Sequence, residues 1–284
     1  MIKLLVMGKA KIDDRYSASD LPPAKNKFLY ACRCLIKLFH IGFFGLGSIV
    51  IGILIFPVMR LFLHPKKRFQ KHARNFISLS FRFFTFCMRL SGAIKHNFHD
   101  KEKYRSLRSK VIVANHPSLL DVVYLISVIP NADCIVRGGL TKTPFVAIIR
   151  QLYLVNTMGS EEMLELAKES LADGNNLIVF PEGTRTPRHG TNQFKRGASR
   201  IAFECDCDIQ MVYIGGNDKY GLGKHDAFFS FNKNEPYHYD IYILDEIKIA
   251  DYKHLEPQIA SRRITEKIHE QIADKAMEVD RRII

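Results

Sequence analysis

The chain has 284 residues, 47% of them apolar, with 42 Lys and Arg against 29 Asp and Glu, a net charge of +13. That size and composition exclude a disulfide-stapled miniprotein and a mostly disordered chain, and fit one α/β domain with an appendage or two small domains. The surplus calls for an acidic partner: nucleic acid, anionic lipid headgroups or a phosphorylated substrate.

The position of the charge narrows the choice. Residues 1–59 carry a net +5, residues 60–110 a net +12, and residues 111–284 a net −4. The basic character therefore belongs to the first 110 residues. The six cysteines (Cys32, Cys34, Cys87, Cys134, Cys205 and Cys207) include no C-x-x-C and no neighbouring His cluster, so they read as reduced thiols and not as a metal site.

Residues 1–27 are expected to form a polar tail, and residues 28–109 a membrane-associated helical region. From Leu38 to Met59 there is no charged residue. As a helix this run would reach about 33 Å, enough to cross a bilayer's hydrocarbon core. Lys37 and Arg60 bracket it, and Pro57 is placed to bend its end. The polar stretch before it lacks the small-residue cleavage pattern of a signal peptide. From His64 to Lys95, Phe69, Phe76, Phe81, Phe83, Phe84 and Phe86 are interleaved with Lys66, Lys67, Arg68, Lys71, Arg74, Arg82 and Arg89. A basic, Phe-rich helix suits a membrane interface, with rings in the acyl boundary and cations on phosphates. Both flanks of the apolar run are basic, so the charge count does not choose an orientation cleanly. A hairpin dipping into one leaflet would place both flanks on the same, cytoplasmic side. The expected location is the cytoplasmic (inner) membrane.

Residues 110–284 are expected to form the catalytic domain. Strands are predicted at 110–115, 134–136, 152–155, 176–180, 209–214 and 239–244. Helices are predicted at 119–127 (capped by Ser118), 143–151 (opened by Thr141 or Thr143, with Pro144 in its first turn), 160–172, 197–203 and 255–279. Strands alternating with helices predict a mixed α/β sheet covered by helices on both faces.

Two segments place polar residues directly after buried strands: VIVANHPSLLD (111–121) and LIVFPEGTRT (177–186). Strand carboxyl ends converge on a crevice in open α/β sheets, so the placement carries meaning. His116 and Asp121 form an H-x4-D pair. Alone this is weak, since chance produces about 0.6 such pairs in a chain of this composition. A second pair, His269 with Asp274, lies within a helix, where that spacing separates the side chains, and reads as solvated surface. The first spans a turn, so its side chains can meet. Asp121 would hold one ring nitrogen while the other removes a proton from a hydroxyl. There is no G-x-S-x-G and no nucleophilic Cys beside it, so direct attack by a substrate hydroxyl is the simplest chemistry. Arg185 offers a planar fork for phosphate, Gly183 lets a backbone approach a ligand, and Glu182 can accept a hydroxyl. Lys195 and Arg196 precede a helix N-terminus, another phosphate-friendly arrangement.

NHPSLLD, FPEGTRT and FKRGA, in this order, resemble the glycerophosphate and lysophospholipid acyltransferases, of the bacterial 1-acyl-sn-glycerol-3-phosphate acyltransferase type. The resemblance covers about residues 28–215. It implies a glycerol-3-phosphate acyltransferase-like α/β fold with His116 as the base and Asp121 as its partner. It implies that Glu182, Gly183 and Arg185 bind the acceptor's glycerol and phosphate; Asn115 and Thr184 are expected to belong to the same substrate-binding set. It also implies membrane lipids and a lysophospholipid acceptor as partners, with no nucleic acid, and acyl-CoA or acyl carrier protein as co-substrate without cofactor or metal. Phosphatidic acid would be the product. Two departures stand out. After LTKTPF (140–145), Thr157 stands where the family carries an arginine, which leaves Lys142, Lys195 and Arg196 as substitute cations. The strand at 207–214 lacks the family's proline. An acyltransferase acting on another lipid or headgroup, and a non-catalytic lipid-binding protein, are the competing readings.

Overall fold

The computed structural model describes residues 13–143, 146–155, 157 and 159–279. One continuous helical run, Lys27–Phe62, is long and apolar enough to cross a membrane, with only 11% of its most apolar window buried. It consists of α1 (Lys27–Val50), a π-helical turn (Ile51–Ile55) and α2 (Phe56–Phe62). Pro57 falls at the start of α2, where its missing N–H and fixed φ are tolerated. The Asn26 side chain caps the N-terminus of α1 by accepting from Leu29 N–H at 2.9 Å.

α3 (Lys66–Leu90) turns back and packs along α5 (Asp121–Val128). This alters the expected division of its phenylalanines. Phe69 and Phe84 are core residues, Phe76 and Phe81 rest partly buried on the same core, and Phe83 and Phe86 stay exposed. Its cations divide likewise. Arg74 makes a buried two-point ion pair with Asp133 (2.6 and 2.9 Å), and Arg82 Nε donates to Ser127 O at 2.6 Å. Those two cations fasten α3 to the body. Lys66, Arg68 and Lys71 remain exposed.

The remaining elements are β1 (Ile94–Phe98), α4 (Lys101–Ser106), β2 (Val111–Ala114), β3 (Ala132–Val136), α6 (Val146–Leu152), β4 (Leu154–Val155), α7 (Ser160–Ala172), β5 (Asn176–Val179), α8 (Gly197–Glu204), β6 (Ile209–Gly216), β7 (Tyr237–Ile247) and α9 (Pro257–Val279). A short 3₁₀ turn, Gly138–Lys142, precedes α6. Pro144, Phe145 and Asn156 lie outside the described residues.

Seven strands form one sheet in the order β1-β7-β6-β2-β5-β3-β4. Neighbours are parallel except β6 and β7, so the sheet is mixed. Alternation along β2 divides the core. Ile112 and Ala114 face α3 and α5, whereas Val111 and Val113 face α7, α8 and α9. β2 is buried on both faces, which is why VIVA reads as one apolar run.

Two expectations need correction. The sheet does not begin at residue 110: β1 pairs Ile94 with Tyr237 through Phe98 with Ile241. IKHNF is an edge strand with one buried residue, so its polar positions look like a continuation of the basic run. Nor are residues 13–26 a free tail. Tyr16 is buried, and its hydroxyl lies 3.1 Å from Arg185 O and 3.2 Å from Asn192 Oδ1. Lys25 N–H donates to Asn234 Oδ1 at 2.9 Å. Further along, the buried Lys37 Nζ caps the carbonyls of Gly221, Phe228 and Ser230.

Candidate active site

His116 leaves the carboxyl end of β2, and the turn Asn115–Leu120 delivers Asp121 to the first turn of α5. The two meet: His116 Nδ1 and Asp121 Oδ2 are 2.8 Å apart. Asp121 is fully buried and takes two further hydrogen bonds, from Ser118 N–H to Oδ2 (2.7 Å) and from Ser118 Oγ to Oδ1 (2.6 Å). The helix N-terminus adds favourable potential for its charge. With Asp121 Oδ2 accepting from Nδ1–H, Nε2 is the nitrogen that presents its lone pair. The imidazole is 22% exposed and stacks on Phe180 at 4.2 Å, which holds its plane. No hydrogen bond to Nε2 is made among the described residues.

Behind Asp121 a further layer fixes the pair. Tyr239 Oη lies 2.9 Å from Ser118 Oγ. Tyr239 is fully buried on β7, and the ammonium of Lys219 sits 4.5 Å from its ring centroid. Burial drives the Tyr239 phenol well above its ordinary range, so it stays a neutral hydroxyl. Ser118 is buried within this network, and its hydroxyl also accepts from Leu120 N–H at 3.1 Å, so it serves the helix start as well. Nothing in the spacing of the chain points to Tyr239, because it comes from a strand more than a hundred residues away.

The second motif braces the first. Glu182 Oε1 accepts from His116 N–H at 3.1 Å, Thr186 Oγ1 accepts from the same N–H at 2.9 Å, and Thr186 N–H donates back to His116 O at 2.7 Å. Glu182 also takes hydrogen bonds from the Thr186 hydroxyl and, at 2.7 Å on Oε2, from Asn192. Burial raises its pKa, against the lowering effect of these donors. Through Oε1, Glu182 braces the His116 backbone. The Asn115 amide donates to Ile214 O (2.9 Å) and accepts from Ile214 N–H (2.7 Å), which clamps β2 to β6.

Gly183 turns the FPEGTRT loop with φ of +63°, and a Cβ there would meet Lys195 Nζ at 2.8 Å. Lys195 is thus brought over the loop, whereas Arg196 stands exposed at the start of α8. Thr184 is half-buried in the loop. Arg185 Nη1 donates to Leu222 O (2.9 Å) and Gly223 O (2.7 Å), so the 217–236 loop holds it in place. Its other nitrogens make no hydrogen bond among the described residues. That loop is itself organised by Arg188, which pairs with Asp218 (2.9 Å) and Asp226 (2.8 Å).

Lys142 is exposed at the end of the 3₁₀ turn. Position 157 lies beside another cation. A Cβ on Gly138 would strike Thr157 Cγ2 at 2.4 Å, so Thr157 lies against the residue following Arg137. Burial lowers the pKa of Arg185, and the charge of Arg137 adds to that lowering. Arg137, at the carboxyl end of β3, is a functional candidate that no motif indicated. Its position after a buried strand was the available signal. His269 turns edge-on to Phe194 (4.9 Å) while Asp274 is exposed, so that pair is not assembled.

A buried His–Asp pair at the carboxyl end of a central parallel strand, with an arginine-bearing loop beside it, places a general base and a cation at one crevice. Residues 95–215 match the family model described as Acyltransferase. The 1-acyl-sn-glycerol-3-phosphate acyltransferase of Helicobacter pylori is 34% identical over 119 residues, covering 37% of this chain and 48% of that protein. The human 1-acyl-sn-glycerol-3-phosphate acyltransferase beta is 26% identical over 140 residues, covering 46% of this chain and 50% of that protein. The chain thus spans about half the length of these curated relatives. Among solved structures, the 1-acyl-sn-glycerophosphate acyltransferase PlsC of Thermotoga maritima matches in fold with a TM-score of 0.66 at 20% identity, covering 89% of this chain and 97% of that one.

Proposed function

We propose that this protein transfers a fatty acyl group from acyl-CoA or acyl carrier protein to the free hydroxyl of 1-acylglycerol 3-phosphate, forming phosphatidic acid at a membrane. The observation that carries the reading is the 2.8 Å His116–Asp121 contact with Nε2 left open. The acceptor hydroxyl gives its proton to Nε2 as its oxygen attacks the thioester carbonyl. The tetrahedral intermediate then expels the thiol sulfur, which takes the same proton back from the imidazolium. Asp121 stabilises the imidazolium and keeps the ring in register throughout. Arg185 and Arg137 are the cations for the acceptor's phosphate, because a dianion relieves the repulsion between them.

The membrane part of the reading rests on two facts. The Lys27–Phe62 run is apolar and exposed, and the segment preceding it is docked on the same body that follows it. Tyr16 and Lys25 touch the 185–234 region, so both flanks of the run lie on one side of the bilayer. That geometry fits a helical hairpin seated in one leaflet, with the site facing the cytoplasm.

Purified membranes containing the full chain, offered both acyl donors and a panel of acceptors, test the reading. Lysophosphatidate should turn over in preference to lysophosphatidylcholine and monoacylglycerol. Turnover of another acceptor with lysophosphatidate inert would transfer the assignment to that substrate, as the threonine at 157 invites one to check. Arg137→Ala should raise KM for lysophosphatidate by about tenfold or more, the scale of one charge-assisted pair. It should leave monoacylglycerol kinetics unchanged.

A further inference from the structure

A second concentration of positive charge plays no part in the chemistry above. Beside the sheet-edge strand β1, Arg82, Arg89, Lys101 and Arg105 surround a cavity of about 210 Å³ that His96 and Phe86 also line. Among the described residues, no carboxylate lines it. Arg82 is engaged with Ser127 O, and Arg105 pairs with Glu102 at 2.8 Å. The side chains of Arg89 and Lys101 have no hydrogen bond or ion pair among the described residues. His96 Nδ1 is shut away from solvent without a partner. Burial, with Arg89 and Lys101 adding to it, lowers the pKa of His96 and keeps the ring neutral. Clustered cations repel one another, and guanidinium groups suit phosphate oxygens geometrically.

The surroundings identify which phosphate. Phe86 is 50% exposed, and with Leu79, Phe83 and Leu90 it forms a stripe along one face of α3. Phe83 meets Phe43 of α1 at 6.3 Å, so the stripe continues into the exposed apolar surface of α1. The cavity is smaller than a typical pocket for a drug-sized molecule, and fits a headgroup better than a whole lipid. We propose that this cavity binds the headgroup phosphate of an anionic phospholipid, whose acyl chains lie along the Phe86 and Leu90 face. The proposal rests on the membrane seating inferred above. The cavity is separate from the acyl-transfer site: Val128, which lines it, ends the eight-residue helix that Asp121 begins, about 10 Å away along the axis. A zwitterionic choline headgroup would bring its own cation into the cluster, so the site discriminates by charge.

Native mass spectrometry of the detergent-solubilised full chain tests this, titrated with dioleoylphosphatidylglycerol, dioleoylphosphatidylcholine or glycerol phosphate. One phosphatidylglycerol adduct should form at a concentration at least tenfold below that for phosphatidylcholine. The Arg89→Gln/Lys101→Gln double variant should lose the preference. The exposed-residue control Lys66→Gln/Arg68→Gln, and His116→Ala, should keep it. Equal adducts for both lipids, a preference that survives in the double variant, or an equal loss in the control would overturn the proposal. Displacement by glycerol phosphate at the lipid's own concentration would overturn it in favour of a soluble-anion site. Lys101→Glu is a second test, since its exposed position tolerates the change without loss of fold, and it should abolish the preference alone. Flotation of the wild-type chain with phosphatidylcholine vesicles checks the membrane seating separately. If the chain fails to float, the seating is wrong; if it floats without a phosphatidylglycerol preference, only the cavity assignment is wrong.

Discussion

His116 is aligned by what surrounds it more than by its own identity. Asp121 orients the ring, Phe180 limits its tilt, and Glu182 and Thr186 hold its backbone. Asp121→Asn should lower kcat by about 10²- to 10⁴-fold while the thermal midpoint changes little, because the amide supports the wrong tautomer. Tyr239→Phe removes one hydroxyl from Ser118, a loss of about 1 kcal/mol in positioning. It should lower kcat about fivefold with KM unaltered, and Ser118→Ala, which also removes the hydroxyl's bond to Asp121, should lower it further, with Tyr239→Phe adding nothing on top. A substantial rise in KM for either variant would show that the hydroxyl contacts substrate instead. The meeting of His116 and Asp121 was legible in the sequence because the two flank a turn directly after a buried strand. The bracing contacts of Asn115 and Glu182, and Tyr239 altogether, were not legible, because a partner from another strand decides what a polar side chain does. Only the folded chain brings Ile214, Thr186 and Asn192 to them.

The elements were read well wherever burial was uniform. The apolar runs of β2, β5 and β6 and the amphipathic α7 and α9 fall within a few residues of their predicted positions. β1 was hidden because an edge strand buries little and its polar residues join a basic run. The lower edge of the sheet carries a pH-sensitive tie. Asp208, before β6, accepts from Lys110 (2.9 Å), Lys248 (3.1 Å) and Ile249 N–H (3.0 Å). Burial opposes its charge, but these hydrogen bonds outweigh that and hold its pKa down at about 2, against an ordinary 3.8. A depressed carboxylate stabilises the fold above its ordinary pKa, and this contribution fades as pH falls from about 4 to 2. The thermal midpoint should therefore drop over that interval, and Asp208→Asn should flatten that part of the profile. An unchanged slope in the variant would mean that other carboxylates govern acid unfolding.

At the scale of the molecule, the +13 charge separates into three uses. Some cations fasten α3 and the loops, as Arg74 does with Asp133 and Arg188 with Asp218. Some stand at the candidate site, and others cluster beside the apolar face. Composition located the surplus in the first 110 residues but could not distinguish a buried ion pair from a free cation. The docking of residues 13–26 was equally invisible, since their partners lie about 170 to 210 residues away. That docking makes a topological prediction. Protease sites or reporter tags at residues 20 and 110 should be reached from the same face of intact vesicles; reach from opposite faces would refute the hairpin.

The central claim is that His116 is the base for acyl transfer to a lysophospholipid hydroxyl, and the rate of phosphatidic acid formation in membranes carrying the wild-type chain or His116→Ala tests it most directly. The wild type should convert lysophosphatidate with an acyl thioester, and the variant should fall by at least about 10²-fold at equal protein level and unchanged membrane association. Full turnover in His116→Ala would contradict it.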